Sequence, residues 1–146
     1  MSDEEWRAGI PAELAGRYGP GGALAVEAWS QDHGTLVPEV VDLLAPQRPG
    51  RIVAVMTNAT SRLASDLDAL GLLASVDVVF SSADLRVAKP DPAAFRQVCQ
   101  ALGVDPQQCA LVDDSPANTY AADELGMTTH LYRTPTSLKT FLENLP

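Results

Sequence analysis

The sequence predicts an α/β protein, a parallel sheet with flanking helices, and three observations carry that expectation. Ile52-Val53-Ala54-Val55-Met56 and Ala110-Leu111-Val112 are continuous apolar runs, the pattern of strands covered on both faces. Segments at helical spacing follow and separate them, closed by Gly71, Gly103 and Gly126. Polar pairs, Thr57-Asn58 and Asp113-Asp114, stand directly after the apolar runs, where open α/β sheets place their ligands. Strands alternating with helices call for right-handed parallel βαβ units, Rossmann-like in layout.

The elements can be justified in order. Pro11 to Arg17 suits a short helix, with Tyr18-Gly19-Pro20-Gly21-Gly22 as a breaker behind it. Ala23 to Trp29 suits a second helix. Pro38 to Leu44 suits a third, with Pro in the first turn and Val40, Val41, Leu43 and Leu44 on a broad apolar stripe. The Pro46-Gln47-Arg48-Pro49-Gly50 cluster divides this helical part from the rest. After it, Ile52 to Met56 reads as a strand. Ser61 to Leu70 reads as a helix through Leu63, Leu67 and Leu70, stopped by Gly71. Val76 to Phe80 is the next strand, and Pro92 to Leu102 a helix with Asp91 as N-cap and Gly103 as stop. Ala110 to Val112, Ala117 to Leu125 and Thr129 to Tyr132 continue the alternation. Ser137 to Leu145 closes it as an amphipathic helix.

Composition narrows the function classes. A chain of 146 residues with 46% hydrophobic content suits one domain with a sizeable core. The net charge of −9 disfavours a nucleic-acid partner, which would require basic patches. No apolar run approaches the roughly 20 residues needed to cross a bilayer, and the acidic N-terminus lacks a secretory pattern, so a cytoplasmic location is expected. Cys99 and Cys109 have no His or Cys partner at metal spacing and read as free thiols.

Three polar segments carry chemistry. The hydroxyl of Thr57 and the amide of Asn58, at a strand-to-helix junction, suit phosphoryl oxygens. A plain helix N-cap from Asn58, Thr60 or Ser61 suits the same place. Lys89 precedes Pro90-Asp91-Pro92, a stiff loop from which an ammonium can meet a phosphate or carboxylate, although a solvated lysine needs no such partner. Asp113 and Asp114, adjacent after a buried run, repel one another, so one carboxyl rises in pKa unless a cation is near. Mg²⁺ would relieve the conflict, while an Asx-turn ahead of Ser115-Pro116 would need only one of them.

In this order, Thr57-Asn58, Val87-Ala88-Lys89-Pro90-Asp91-Pro92 and Leu111-Val112-Asp113-Asp114-Ser115-Pro116-Ala117-Asn118 resemble the haloacid dehalogenase-like (HAD) hydrolase superfamily. The resemblance covers roughly residues 36 to 146 and points to its capped phosphatase and dehalogenase branch. It implies an α/β core over residues 46–146, preceded by a partial helical cap over residues 1–45. It implies catalytic roles for Lys89, Asp113 and Asp114, phosphate binding by Thr57, Asn58 and Lys89, and Mg²⁺ held by Asp114 with Asp113 as water-mediated or orienting partner. Asn118 stands where some relatives carry a further Asp. The implied activity is hydrolysis of a small phosphate ester through an aspartyl-phosphate, with a haloacid as the lesser alternative. The competing class is a non-catalytic module of the same fold that binds a phosphate ligand or a protein.

The family's nucleophile motif, Asp-x-Asp-x-Thr on a first strand, is absent from the sequence. Trp29-Ser30-Gln31-Asp32-His33-Gly34-Thr35-Leu36 imitates its ending, but aligned there Gln31 would replace the nucleophile and His33 the acid/base. A carboxamide cannot form the acyl phosphate. Residues 1 to about 35 instead resemble the second part of a cap, which would put the first strand upstream of Met1. That strand is central in the family, between the strands ending at Thr57 and Asp114. Its loss predicts a disturbed sheet centre or a homo-oligomer, because unpaired buried edges are unfavourable. It also predicts a chain inactive as it stands, with weak Mg²⁺ binding.

Overall fold

The computed structural model describes residues 3–31, 34–59 and 62–146. Asp32 and His33 of the imitating string, and the Thr60 and Ser61 cap candidates, lie outside the described residues.

The chain opens with a helical hairpin, α1 (Asp3–Tyr18) packed on α2 (Pro20–Gln31). Both helices are longer than expected. Pro11 lies inside α1, and Gly21 and Gly22 lie inside α2, so only Gly19, in the left-handed region at φ 70°, breaks the chain. Gly22 has a packing reason: a Cβ there would sit 2.6 Å from the Leu14 carbonyl oxygen of α1. α3 (Pro38–Val41) begins at its proline as expected but is only one turn long, and a 3₁₀ turn follows at Ala45–Gln47.

The remaining elements alternate. They are β1 (Ala54–Thr57), α4 (Leu63–Ala69), β2 (Val78–Ser81), the short α5 (Ser82–Leu85), α6 (Pro92–Leu102), β3 (Ala110–Asp113), α7 (Pro116–Asp123), β4 (Thr128–Leu131) and α8 (Pro135–Glu143). α6 has the predicted boundaries. Asp91 caps it by accepting from Ala93 N at 2.8 Å, and Gly103 ends it at φ 69°. Helices α6 and α7 supply the core, in which Phe95, Cys99, Ala122 and Met127 are buried and Met56 and Leu111 pack against them. Cys99 and Cys109 are free thiols with their sulfurs 3.8 Å apart, and burial, then the Cys99 contact, pushes the Cys109 thiol up to about 11.

The parallel strands form two pairs, β1 with β2 and β3 with β4. Among the described residues no ladder joins β1 to β3, so the four strands stand as two separate parallel pairs. Full coverage of the first apolar run is not observed. β1 starts at Ala54, Ile52 is 55% exposed, and no β1 residue is fully buried. The start of the run is instead held by Asp77, which accepts from Val53 N at 2.9 Å and from Arg48 Nε at 3.0 Å. The Val53 N–H first, and then Arg48, keep this carboxyl below its ordinary value.

Candidate active site

The three polar segments meet at the C-terminal ends of β1 and β3. Lys89, on the loop before α6, donates from Nζ to the Met56 carbonyl at 2.8 Å and to Asp113 Oδ2 at 2.6 Å. One ammonium therefore spans the ends of two strands that share no ladder. Both side chains are shielded, Lys89 at 10% and Asp113 at 6% exposure.

Asn58 fixes this lysine by its backbone. The Asn58 Oδ1 accepts from Lys89 N at 2.9 Å, and its Nδ2 donates to the Lys89 carbonyl at 2.8 Å. The carboxamide thus acts as a two-point clasp on the Lys89 loop, a use that spacing alone does not reveal. Thr57, between Met56 and Asn58, has no protein partner for its hydroxyl among the described residues. It is half-buried and is the free hydroxyl nearest the clasp in sequence.

Asp113 accepts three hydrogen bonds. Its Oδ1 accepts from Ser115 N and Asn118 Nδ2, both at 2.9 Å, and its Oδ2 takes Lys89. The Ser115 bond is the Asx-turn weighed above, and it coexists with the ion pair. Burial alone would raise this carboxyl. The Lys89 hydrogen bond, then those of Asn118 and Ser115, outweigh burial and hold it below its ordinary value. The conflict expected between adjacent carboxylates is settled by Lys89. Asp114 points into solvent with an open carboxylate.

Mg²⁺ requires near-octahedral oxygen coordination. Both oxygens of Asp113 already accept hydrogen bonds, Asp114 is a single carboxylate, and the described residues contain no cluster of three or more His, Cys, Asp or Glu suited to a metal. The residues present do not by themselves fit a Mg²⁺ site.

Beside Asp113 and Asp114 opens a groove of about 430 Å³. Thr35, Leu36 and Val37 line it together with Val40, Val41 and Leu44 from α3 and the turn behind it. Leu72, Val112, Tyr132 and Leu138 complete it. Val40, Val41 and Leu44 of the apolar stripe read from the sequence therefore line an open groove. None of the described helices is long and apolar enough to cross a membrane.

A family model for haloacid dehalogenase-like hydrolases matches residues 5–126. The chain is similar to validoxylamine A 7'-phosphate phosphatase of Streptomyces hygroscopicus, 38% identical over 63 residues, covering 43% of this chain and 30% of that protein. It is similar to phosphoglycolate phosphatase of Chromobacterium violaceum, 36% identical over 97 residues, covering 65% of this chain and 44% of that protein. The chain thus spans less than half the length of these curated relatives. A HAD family enzyme of Bacteroides thetaiotaomicron, solved with magnesium and inorganic phosphate, superposes with a TM-score of 0.75, covering 91% of this chain and 70% of that one. At 22% identity, that likeness bears on the fold alone.

Proposed function

Because the chain belongs to the haloacid dehalogenase-like hydrolase family, we propose that it supplies most of a phosphate-ester hydrolase site whose nucleophile lies outside these 146 residues. The observation that carries this reading is the Lys89 ammonium held between Met56 O and Asp113, beside the free Thr57 hydroxyl and the open Asp114 carboxylate. Thr57 donates to an oxygen of the phosphoryl group. Lys89 balances the charge of the phosphoryl group and of the attacking carboxylate. Asn58 and Asp113 position Lys89, one through its backbone and one through its ammonium. The phosphatase relatives support a small phosphorylated substrate. Residues 1–45 are read as part of a cap over the site, and residues 46–146 as its core.

Asp113 is held by three hydrogen bonds, one of them to the Lys89 ammonium, an environment that makes it a poor attacking carboxylate. The 146-residue chain with Mg²⁺ is therefore expected to give no turnover of p-nitrophenyl phosphate above the buffer rate. Robust hydrolysis that disappears in Asp114→Asn would overturn this and imply a substitute nucleophile. The second reading, a non-catalytic phosphate- or protein-binding module, is favoured by the engagement of Asp113 in three hydrogen bonds. The reading frame upstream of the Met1 codon separates the two. An in-frame Asp-x-Asp-x-Thr supports the hydrolase, while stop codons or unrelated sequence support the binding module.

With one open carboxylate, Mg²⁺ binding should be weak, on the order of millimolar, because the ion retains its waters tenaciously. Titration calorimetry on the wild type and Asp114→Ala is the measurement. Micromolar affinity in the wild type would mean that groups beyond Asp114 complete the site.

A further inference from the structure

At the ends of α6 and β3 remote from the Lys89–Asp113 pair, the fold brings two thiols into contact. Cys99 lies in the C-terminal half of α6 and Cys109 directly before β3, with their sulfurs 3.8 Å apart. Both are free. The segment between them is folded so that its ends stay together. Val104 N donates to Cys99 O at 3.1 Å, just past the left-handed Gly103. Asp105 N donates to Gln108 Oε1 at 2.9 Å, closing the 3₁₀ turn Pro106–Gln108. Cys109 N donates to Pro106 O, and Cys109 O accepts from Thr128 N beside β4, both at 3.0 Å. Hydrogen bonds thus fix the backbone at both cysteines, and the thiol contact is a property of the folded chain.

The two thiols differ in access. Cys99 is 3% exposed, inside the cluster with Phe95, Ala122 and Met127, whereas Cys109 is half-buried and packs against that cluster. The other polar contact of the Cys109 sulfur is a weak one, to the Asp105 carbonyl at 3.6 Å. A dissolved reagent therefore reaches Cys109 first. No third His, Cys, Asp or Glu joins the pair as a metal ligand among the described residues. Sulfur–sulfur chemistry is the use that two thiols at this distance suit.

We propose that Cys99 and Cys109 form a redox site at which a small-molecule disulfide oxidises the pair to an internal disulfide, Cys109 meeting the oxidant and Cys99 closing the bond. The Cys109 thiolate attacks one sulfur of the oxidant RSSR, forming a mixed disulfide and releasing RS⁻. The Cys99 thiolate then attacks the Cys109 sulfur, and the second RS⁻ leaves. Each thiol gives up one proton and each RS⁻ takes one, so the dithiol becomes a disulfide while RSSR becomes two RSH. To reach the bond length of about 2.05 Å, the sulfurs approach one another by about 1.8 Å. Pushed up to about 11, the Cys109 thiol is little ionised at neutral pH, so the first step is slow there. Thermodynamically the bond is favoured, because it closes in the unfolded chain a loop that the fold already holds closed. By linkage, the fold favours the disulfide by the factor by which the disulfide favours the fold. The inference rests on the two thiols and their scaffold and does not depend on the hydrolase reading.

The full chain is equilibrated with glutathione and glutathione disulfide at pH 8.5, in buffer and in 8 M urea, then quenched in acid and weighed by mass spectrometry. The chain has no other cysteine, so a monomer lighter by two hydrogens identifies the bond. The equilibrium constant for its formation should be at least tenfold greater in the folded chain than in urea. The oxidised chain should melt at least about 4 °C above the phosphine-reduced chain. Cys99→Ala should stop at one glutathione on Cys109, while Cys109→Ala stays unmodified over the same time. No internal disulfide after a day in excess glutathione disulfide would overturn the proposal. So would an equilibrium constant no greater in the folded chain, an oxidised chain that melts at or below the reduced one, or disulfides formed only between chains. Faster modification of Cys109→Ala than of Cys99→Ala would overturn the assigned order of attack. The equilibrium and the melts use the natural sequence, so they decide the matter even if Cys99→Ala fails to fold. None of these readouts measures turnover, so failure of the hydrolase reading and failure of the redox site are separable.

Discussion

Replacing Lys89 by methionine is expected to lower the unfolding free energy by about 3 kcal/mol at neutral pH, the lower end of what removing one partner of a buried ion pair costs. The reasoning rests on burial. The Asp113 side chain is 6% exposed, and without the ammonium it keeps only the Ser115 and Asn118 bonds to offset its desolvation. The sign of the pH dependence follows. In the wild type Asp113 lies below its ordinary value of 3.8, so its contribution is present above that pH and is lost as pH falls through the folded value. In Lys89→Met burial dominates and the carboxyl rises, so acid relieves the variant while it weakens the wild type. Urea unfolding at pH 7 and pH 4 should show the gap between the two proteins narrowing in acid. The double substitution Lys89→Met with Asp113→Asn should recover most of the loss. A gap of equal size at both pH values would assign it to the packing of the lysine stem instead.

The two members of this pair were legible in the sequence as separate site residues, because each stands on punctuated ground, whereas their contact with one another was not. Lys89 precedes a Pro-Asp-Pro loop, and Asp113 ends an apolar run. Chain rules of that kind also placed α6, whose Asp91 cap and Gly103 stop are local signals. What sequence did not reveal depends on partners distant in the chain. Asn58 looked equally suited to a phosphate or a helix cap, and its use on the Lys89 backbone depends on how β1 and the later loop meet. Gly21 and Gly22 looked like a break, yet α2 runs through them, and at Gly22 the close approach to Leu14 needs a residue without Cβ. The run from Ile52 looked fully buried, since five apolar residues suit a covered strand. Ile52 instead lies before the ladder and is exposed, which depends on what packs over that face and not on the local run.

Phe95→Ala should have the largest effect of any single substitution, a loss of about 4 kcal/mol, in the range for truncating a fully buried phenylalanine. Phe95 is 1% exposed and sits in the cluster on which Met56 of one strand pair and Leu111 of the other both pack. Among the described residues no ladder joins β1 to β3, and this apolar layer and the Lys89 bridge are central among the contacts that connect the two halves. Hydrophobic contact is non-directional and tolerates a missing ladder, but only while the layer stays filled. A cavity in place of Phe95 removes that tie, and the loss is a large share of the 5–15 kcal/mol typical of a domain. The expected signature is a lowered urea midpoint together with loss of cooperativity. Exchange protection in β1 and β2 should then separate from that in β3 and β4. Phe95→Leu, which keeps much of the volume, should retain a single transition. If Phe95→Ala unfolds in one sharp transition with all four strands losing protection together, some other contact joins the halves, and the Lys89 bridge is the first to test by combining Phe95→Leu with Lys89→Met.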